Sequence, residues 1–266
     1  PVLPKRQTAV AFAALVIGAF AMGASPIFVR LADVGPYASA FWRCFLALPF
    51  LAIWAMNEPR GTRALFTTDR AVVLSGLFFA GDLFFWHLSI LATTVANATF
   101  IATMAPVWVA FGAWIVFREK ISQGNFLGLA FCLLGGAALI GQSYSFAPER
   151  LLGDGYALVT SLFFGLYMLA VSNARMRTGI GAGSLAFVSA SITAACMFVI
   201  AMLMETNFMP KSLDGWLTLL SLAIVSQVLG QGLLAVALGK LLATFSSLVI
   251  FLEAVGAAAL GWLVLN

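Results

Sequence analysis

The chain has 266 residues, of which 62% are hydrophobic and 9% are charged. A soluble globular domain carries about a quarter charged residues, so this composition excludes a water-soluble protein and indicates that lipid surrounds most of the chain. The net charge of +4 comes without a run of Lys and Arg or a basic face, which excludes a nucleic-acid-binding function.

Nine stretches are long and apolar enough to form membrane-spanning helices, which need about 20 such residues. The first follows Lys5 and Arg6 but is too long for a signal peptide and has no cleavage site after it, so it is predicted as a membrane helix. We therefore expect an all-α, polytopic membrane helix bundle. The predicted helices cover residues 8–30, 36–57, 70–92, 95–117, 121–142, 153–174, 183–204, 215–237 and 241–265.

The Lys and Arg residues of the connections predict the orientation of the chain. With the N-terminus in the cytoplasm, ten of them lie on the cytoplasmic side and three on the other, which is the bias that membrane proteins show. The ten are Lys5, Arg6, Arg60, Arg63, Arg70, Arg118, Lys120, Arg175, Arg177 and Lys240, and the three are Arg30, Arg150 and Lys211. We therefore predict a cytoplasmic N-terminus.

An internal repeat emerges when the sequence is displaced by 148 residues. Trp114 then falls on Trp262 and Val107 on Val255, and the predicted helices of the two halves superpose. The first repeat contains five helices, so the second begins from the opposite side of the membrane, which defines an inverted-topology repeat. We predict one repeat over residues 8–142 and another over 153–266. A tenth helix is expected after Asn266.

Motifs in several predicted helices resemble those of a transporter family. They occupy residues 18–30, 41–48, 114–120, 128–141 and 251–262. Their order and spacing are similar to those of the EamA-type members of the drug/metabolite transporter superfamily, and within it to the YddG-like bacterial amino-acid exporters. The chain departs from the family pattern at Ala254, where Pro often follows the Glu of the ninth helix, and the Glu that often closes the next turn falls beyond Asn266.

This resemblance implies ten helices in two inverted halves with both termini in the cytoplasm, placed in the bacterial inner membrane. It also implies a secondary transporter that exports neutral or aromatic amino acids, such as Met, Phe and Thr, and related small metabolites. The expected partners are a small-molecule substrate and the lipid bilayer, and the oligomeric state stays open. Neither a cofactor nor a metal is expected.

Four ionisable residues lie within predicted spans, where their burial is costly: Arg43, Asp82, His87 and Glu253. Asp82 could pair with a substrate ammonium group, pair with Arg43 or carry a proton. Arg43 could hold a substrate carboxylate or reach the interface. His87 follows Asp82 by five residues, about 140° away around the helix, so we expect the two to face different surroundings.

Other polar and aromatic residues within the spans are candidates for a central cavity. Aromatic rings can line an amphipathic pocket or pack against neighbouring helices, and amides need hydrogen-bond partners in a bilayer. The candidates are Trp42, Trp86, Asn97, Trp108, Phe163, Tyr167, Gln227 and Gln231. Three prolines, Pro26, Pro49 and Pro106, are candidate kink or gating positions because each removes a backbone donor.

The sequence leaves several functions open. The chain has no Walker-type phosphate loop, so alternating access without direct use of ATP is the expected mechanism, whether or not a proton is coupled. A multidrug or cationic-metabolite exporter of the same family is one alternative. A remote one is an intramembrane enzyme with Ser25 as nucleophile and His87 as base, and a membrane scaffold without transport is another.

Overall fold

A computed structural model describes residues 5–59, 61–118 and 123–265. Within these ranges all regular structure is helical, and seven helices are long and apolar enough to cross a membrane. The fold is therefore the predicted polytopic helix bundle. The helices are α1 Lys5–Gly23, α2 Ser25–Leu31, α3 Pro36–Met56, α4 Arg70–Ala92, α5 Val95–Ala102, α6 Ala105–Gly112, α7 Gln123–Phe146, α8 Leu151–Thr178, α9 Ala182–Met204, α10 Leu213–Ser221, α11 Gly232–Leu238, α12 Ala243–Val249 and α13 Leu252–Leu265.

Each of the nine predicted spans coincides with one of these helices or with a run of them. A π-helical segment over Ala113–Phe117 extends α6, and a second over Leu222–Gln231 joins α10 to α11. Two cations used for the orientation, Arg60 and Lys120, lie outside the described residues, as does Asn266.

Three predicted spans are interrupted within the bundle. Proline lies at the first or second position of the helix that follows the break in two of them, with Pro26 in α2 and Pro106 in α6. Proline is tolerated there because the N–H that it lacks has no partner within the helix. Pro49 lies within the continuous helix α3. The third interruption, between α12 and α13, has no proline. Helix breaks therefore occur in both predicted repeats, with and without proline.

The main contacts between helices centre on α3, α1 and α8. Helix α3 packs against α9, α1 packs against α11, α13 and the second π-helical segment, and α8 packs against α4, α5 and α6. Close approach depends on small residues at the crossings. A Cβ atom added to Gly23 would lie 2.7 Å from the backbone oxygen of Glu253, so the glycine lets the end of α1 meet the start of α13.

Reciprocal helix caps tie α3 to α9 at both ends. The carboxylate of Glu58, just after α3, accepts hydrogen bonds from the backbone N–H groups of Gly183 and Ser184 at the start of α9, at 2.8 and 3.0 Å. The carboxylate of Glu205, just after α9, accepts from the N–H groups of Tyr37 and Ala38 in α3, at 2.7 and 2.8 Å. Each carboxylate satisfies donors that a helix start leaves unpaired.

At the end of the bundle opposite the N-terminus, hydrogen bonds join two of the connections between helices. Asp33, after α2, accepts hydrogen bonds from the backbone N–H groups of Lys211 and Ser212 and from the Ser212 hydroxyl. The hydroxyl bond is the main cause that lowers the pKa of the Asp33 carboxyl below its ordinary value. The Asn207 amide donates to the Asp33 carbonyl oxygen at 2.8 Å, which fixes the α9–α10 connection against the α2–α3 connection.

Candidate functional site

A cavity lies inside the bundle where the three interrupted spans meet. The space that a water-sized molecule can reach in it is about 40 Å³, within a wider hollow of about 470 Å³ that includes space open to the exterior. Its walls come from the junction of α1 and α2, from α3, α4, α5 and α8, from the end of the second π-helical segment and from the start of α13. Five of the residues singled out in the sequence line it: Arg43, Asp82, Trp86, Gln231 and Glu253.

The guanidinium of Arg43 is buried, with 3% of the residue exposed, and is held by neutral groups. Its Nε donates to Gln227 Oε1 at 3.2 Å, and its Nη1 donates to Ser25 Oγ at 3.1 Å. The Cζ atom lies 5.7 Å from the centroid of the Phe79 ring, within the range of a cation–π attraction. These contacts fix the guanidinium and leave further N–H donors for a ligand, because Arg has five.

Two carboxyl groups face the same cavity. Asp82 lies in α4, with 8% of the residue exposed, and Glu253 lies in the first turn of α13. Among the described residues, no nitrogen of a basic side chain lies within 4.0 Å of either carboxyl group. The cavity therefore brings together one guanidinium and two carboxyl groups without a direct ion pair between them.

His87 lies away from the cavity lining and is fully buried. Its Nδ1 is 2.6 Å from the carbonyl oxygen of Leu83, and its ring lies against those of Tyr37 and Trp86. Ser25 is paired with Arg43 instead. The serine–histidine pair that an enzyme would need is therefore not formed.

Several other predicted residues contribute to helix packing. Trp108 Nε1 donates to Ser161 Oγ at 2.8 Å, and the ring of Phe163 stacks on Phe85 with centroids 5.7 Å apart. The Tyr167 ring lies 5.0 Å from that of Phe79. These contacts join α4 and α6 to α8. The three rings therefore pack between helices, which is the second of the two roles considered for aromatic residues of the spans.

Two predicted residues lie towards the end opposite the N-terminus. Trp42 Nε1 donates to the carbonyl oxygen of Phe208 at 2.9 Å, and its ring packs edge-on against Trp216 at 4.9 Å. The Asn97 amide donates to Asp154 Oδ1 at 3.4 Å. Gln227 does not line the cavity either, but its amide oxygen accepts a hydrogen bond from the Arg43 guanidinium and so orients it.

Sequence analysis missed part of the cavity lining. The missed side chains include Met22, Phe79, Leu83, Thr99, Thr160 and Phe164. Phe79 precedes Asp82 by three residues and Trp86 follows it by four, which places all three on one helix face. This spacing could have identified Phe79. Nothing in the sequence separates Thr99 and Thr160 from other threonines of the spans.

The fold and the cavity define a multi-pass membrane protein with a polar interior site. The pattern of the EamA-like transporter family matches the chain twice, over residues 9–141 and 151–266. The chain belongs to this family, as its motifs indicate.

Two individual proteins are similar to the chain. An uncharacterized transporter, YxxF, of Bacillus subtilis (strain 168) is 25% identical over 173 residues, which is 64% of this chain. The match spans 56% of that relative's length. A protein of known crystal structure matches with a TM-score of 0.72 and 16% identity, over 97% of this chain and 88% of the other. Identity this low supports the fold alone.

Proposed function

We propose that this transporter exports neutral amino acids and related small metabolites across the bacterial inner membrane. The observation that carries the proposal is the set of Arg43, Asp82 and Glu253 around one cavity without a direct ion pair. A buried charge is costly unless a partner of opposite sign is present. An amino acid brings both partners, because its carboxylate complements the guanidinium and its ammonium group complements a carboxylate.

The remaining side chains of the cavity suit the rest of such a substrate. The unpaired N–H donors of Arg43 would bind the substrate carboxylate. Gln231 Oε1, which has no hydrogen-bond partner among the described residues, would accept a hydrogen bond from the ammonium group beside Asp82 and Glu253. The rings of Phe79, Trp86 and Phe164 supply the apolar walls that small-molecule sites use.

Alternating access between two inverted repeats is the proposed mechanism. The double match to the family pattern supports the repeats. The packing supports their inversion, because the first helix of each repeat packs against the third and fourth of the other, and the second helices α3 and α9 cap each other. A pseudo-two-fold axis produces such reciprocal contacts. In this proposal the N-terminus is cytoplasmic, and the breaks before Pro26 and Pro106 act as gating positions.

A second candidate substrate class is organic cations. The cavity carries two carboxyl groups against one guanidinium, and its aromatic rings could contact a cation by cation–π attraction. In this reading Arg43 is structural and the carboxyl groups bind the substrate. The two candidates therefore differ in their requirement for the substrate carboxylate and for Arg43.

Counterflow in proteoliposomes tests the proposal. Vesicles loaded with unlabelled leucine, phenylalanine or threonine are offered the labelled compound outside, using wild-type protein and Asp82→Asn. Asp69→Asn is the matched control, because Asp69 lies outside the cavity and pairs with the exposed Arg177 at 2.6 Å. We expect accumulation with the wild type and the control and its loss in Asp82→Asn. A folded wild-type protein that accumulates none of the amino acids contradicts the proposal.

A further inference from the structure

Two buried threonines line the cavity, and their hydroxyls have no hydrogen-bond partner among the described residues. Thr99 in α5 and Thr160 in α8 are 3% and 1% exposed, and both line the cavity. Neither Oγ1 atom has a partner among the described residues. Within a helix a threonine hydroxyl commonly bonds to a carbonyl oxygen of the preceding turn, so these two hydroxyls are free in a place where burial penalises an unpaired group.

A third threonine of the cavity provides the contrast. The Thr103 hydroxyl also lines the cavity but donates to the carbonyl oxygen of Phe100 at 2.7 Å. Buried hydroxyls elsewhere in the bundle, such as those of Ser39 and Ser172, also lack a partner. Among the described residues that line the cavity, the unpaired hydroxyls are those of Thr99 and Thr160, one in each of two helices that pack against each other.

The hydroxyl pair lies on different helices from the charged groups. Arg43 comes from α3, Asp82 from α4 and Glu253 from α13. The wall formed by α5 and α8 adds Phe164 one turn after Thr160 and Ala102 one turn after Thr99. An amino acid whose charged groups lie at Arg43 and the carboxyl groups would thus extend its side chain towards this wall.

We propose that Thr99 and Thr160 form a side-chain subsite that favours neutral amino acids whose side chain carries a hydroxyl or amide group. The inference rests on the proposed function, since it assigns the side-chain end of the same substrate. A hydroxyl group both donates and accepts, so a hydroxyl or amide of the substrate satisfies both threonines. A site built to hydrogen-bond a substrate hydroxyl discriminates against the analogue that lacks it.

Threonine and valine are the substrate pair that tests this subsite, because they have nearly the same shape and differ by a hydroxyl. The ratio of threonine to valine counterflow is measured for the wild type, Thr99→Val, Thr160→Val and the double variant. Thr193→Val is the matched control, because Thr193 is a buried threonine of α9 outside the cavity whose hydroxyl bonds to the carbonyl oxygens of Gly76 and Ser189. We expect wild-type protein to favour threonine over valine by about tenfold, which is the discrimination that one well-made hydrogen bond supplies. In the double variant the ratio should fall to within about twofold of one. The control should keep the wild-type ratio.

Leucine counterflow in the same vesicles reports whether each variant is folded and active, because leucine needs no hydroxyl partner. Thr99→Ala and Thr160→Ala also remove the hydroxyl and replace a valine variant that fails to fold. Thr99→Ser and Thr160→Ser keep the hydroxyl, and the wild-type ratio is expected in both. An unchanged threonine-to-valine ratio in variants that still carry leucine overturns the subsite and leaves the proposed function standing. If wild-type protein carries no amino acid, the proposed function itself fails.

Discussion

The acidic side chains at the ends of the bundle differ from those at its centre. Glu58 and Glu205 each accept hydrogen bonds from two backbone N–H groups at a helix start. Asp82 and Glu253 face a cavity with no basic nitrogen within 4.0 Å among the described residues. The comparison separates the carboxylates that serve the fold, which the chain itself pairs, from the two carboxyl groups that we propose bind the substrate, which have no such pairing.

The largest effect is expected from Asp82→Asn. We expect amino-acid counterflow to fall at least tenfold, because the group that pairs with the substrate ammonium is lost. The melting temperature in detergent should stay the same or rise, since the substitution removes a buried carboxyl group that has no direct ion pair. Both are measured on the same preparation. A variant that melts well below the wild type would show that Asp82 is structural.

The cap residues should show the opposite behaviour. Replacing Glu58 or Glu205 by Ala removes bonds from a carboxylate to two helix N–H groups, which should cost about 1–2 kcal/mol of stability. We expect a lower melting temperature in each variant and an unchanged order of substrates in counterflow. An altered order of substrates would mean that the caps also shape the cavity.

A smaller effect on binding is expected from Gln227→Leu. Gln227 contacts the Arg43 guanidinium from outside the cavity lining, so its loss should loosen the guanidinium without removing its charge. We expect the KM for amino-acid counterflow to rise about threefold to tenfold, in line with the loss of one hydrogen bond to a charged group, with the maximal rate little changed. Substrate concentration series on both proteins measure this. An equal fall in maximal rate with an unchanged KM would contradict a positioning role.

The smallest effect concerns Asp33, which is partly buried. Its pKa lies below the ordinary value because Ser212 and two backbone N–H groups donate to the carboxylate. A lowered folded-state pKa gives stability that is present above the ordinary pKa and is lost as the pH falls through the folded-state value. Asp33→Asn should therefore lower the melting temperature slightly at pH 7, with the difference vanishing in strong acid. A constant difference across pH would contradict this linkage.

Hydropathy predicted the helices well because a bilayer demands long apolar segments whose backbone bonds are internal. It could not predict the break between α12 and α13, since no proline marks Ile250 or Phe251 and the break depends on packing. The two π-helical segments carry no sequence signal either. The internal repeat at a displacement of 148 residues depended on few identities, and it stays a prediction.

The site was only partly predictable for a different reason. The separation of Asp82 from His87 followed from helix geometry, and the structure places them in different surroundings. The choice between cavity and packing for Trp42, Trp86 and Trp108 depended on which neighbour each ring meets, which no local pattern encodes. Threonine is as compatible with helix packing as with a cavity. Thr99 and Thr160 could therefore be identified as candidate site residues only from the structure, where their hydroxyls have no hydrogen-bond partner.

The central claim is that the unpaired charges of the cavity bind both ends of an amino acid, and competition by analogues tests it most directly. Labelled leucine counterflow into wild-type vesicles is challenged with excess leucine, leucinamide, which lacks the carboxylate, or N-acetylleucine, which lacks the ammonium group. We predict that unlabelled leucine abolishes the signal and that each analogue competes at least tenfold more weakly. Leucinamide that competes as well as leucine would contradict the account and favour the organic-cation candidate.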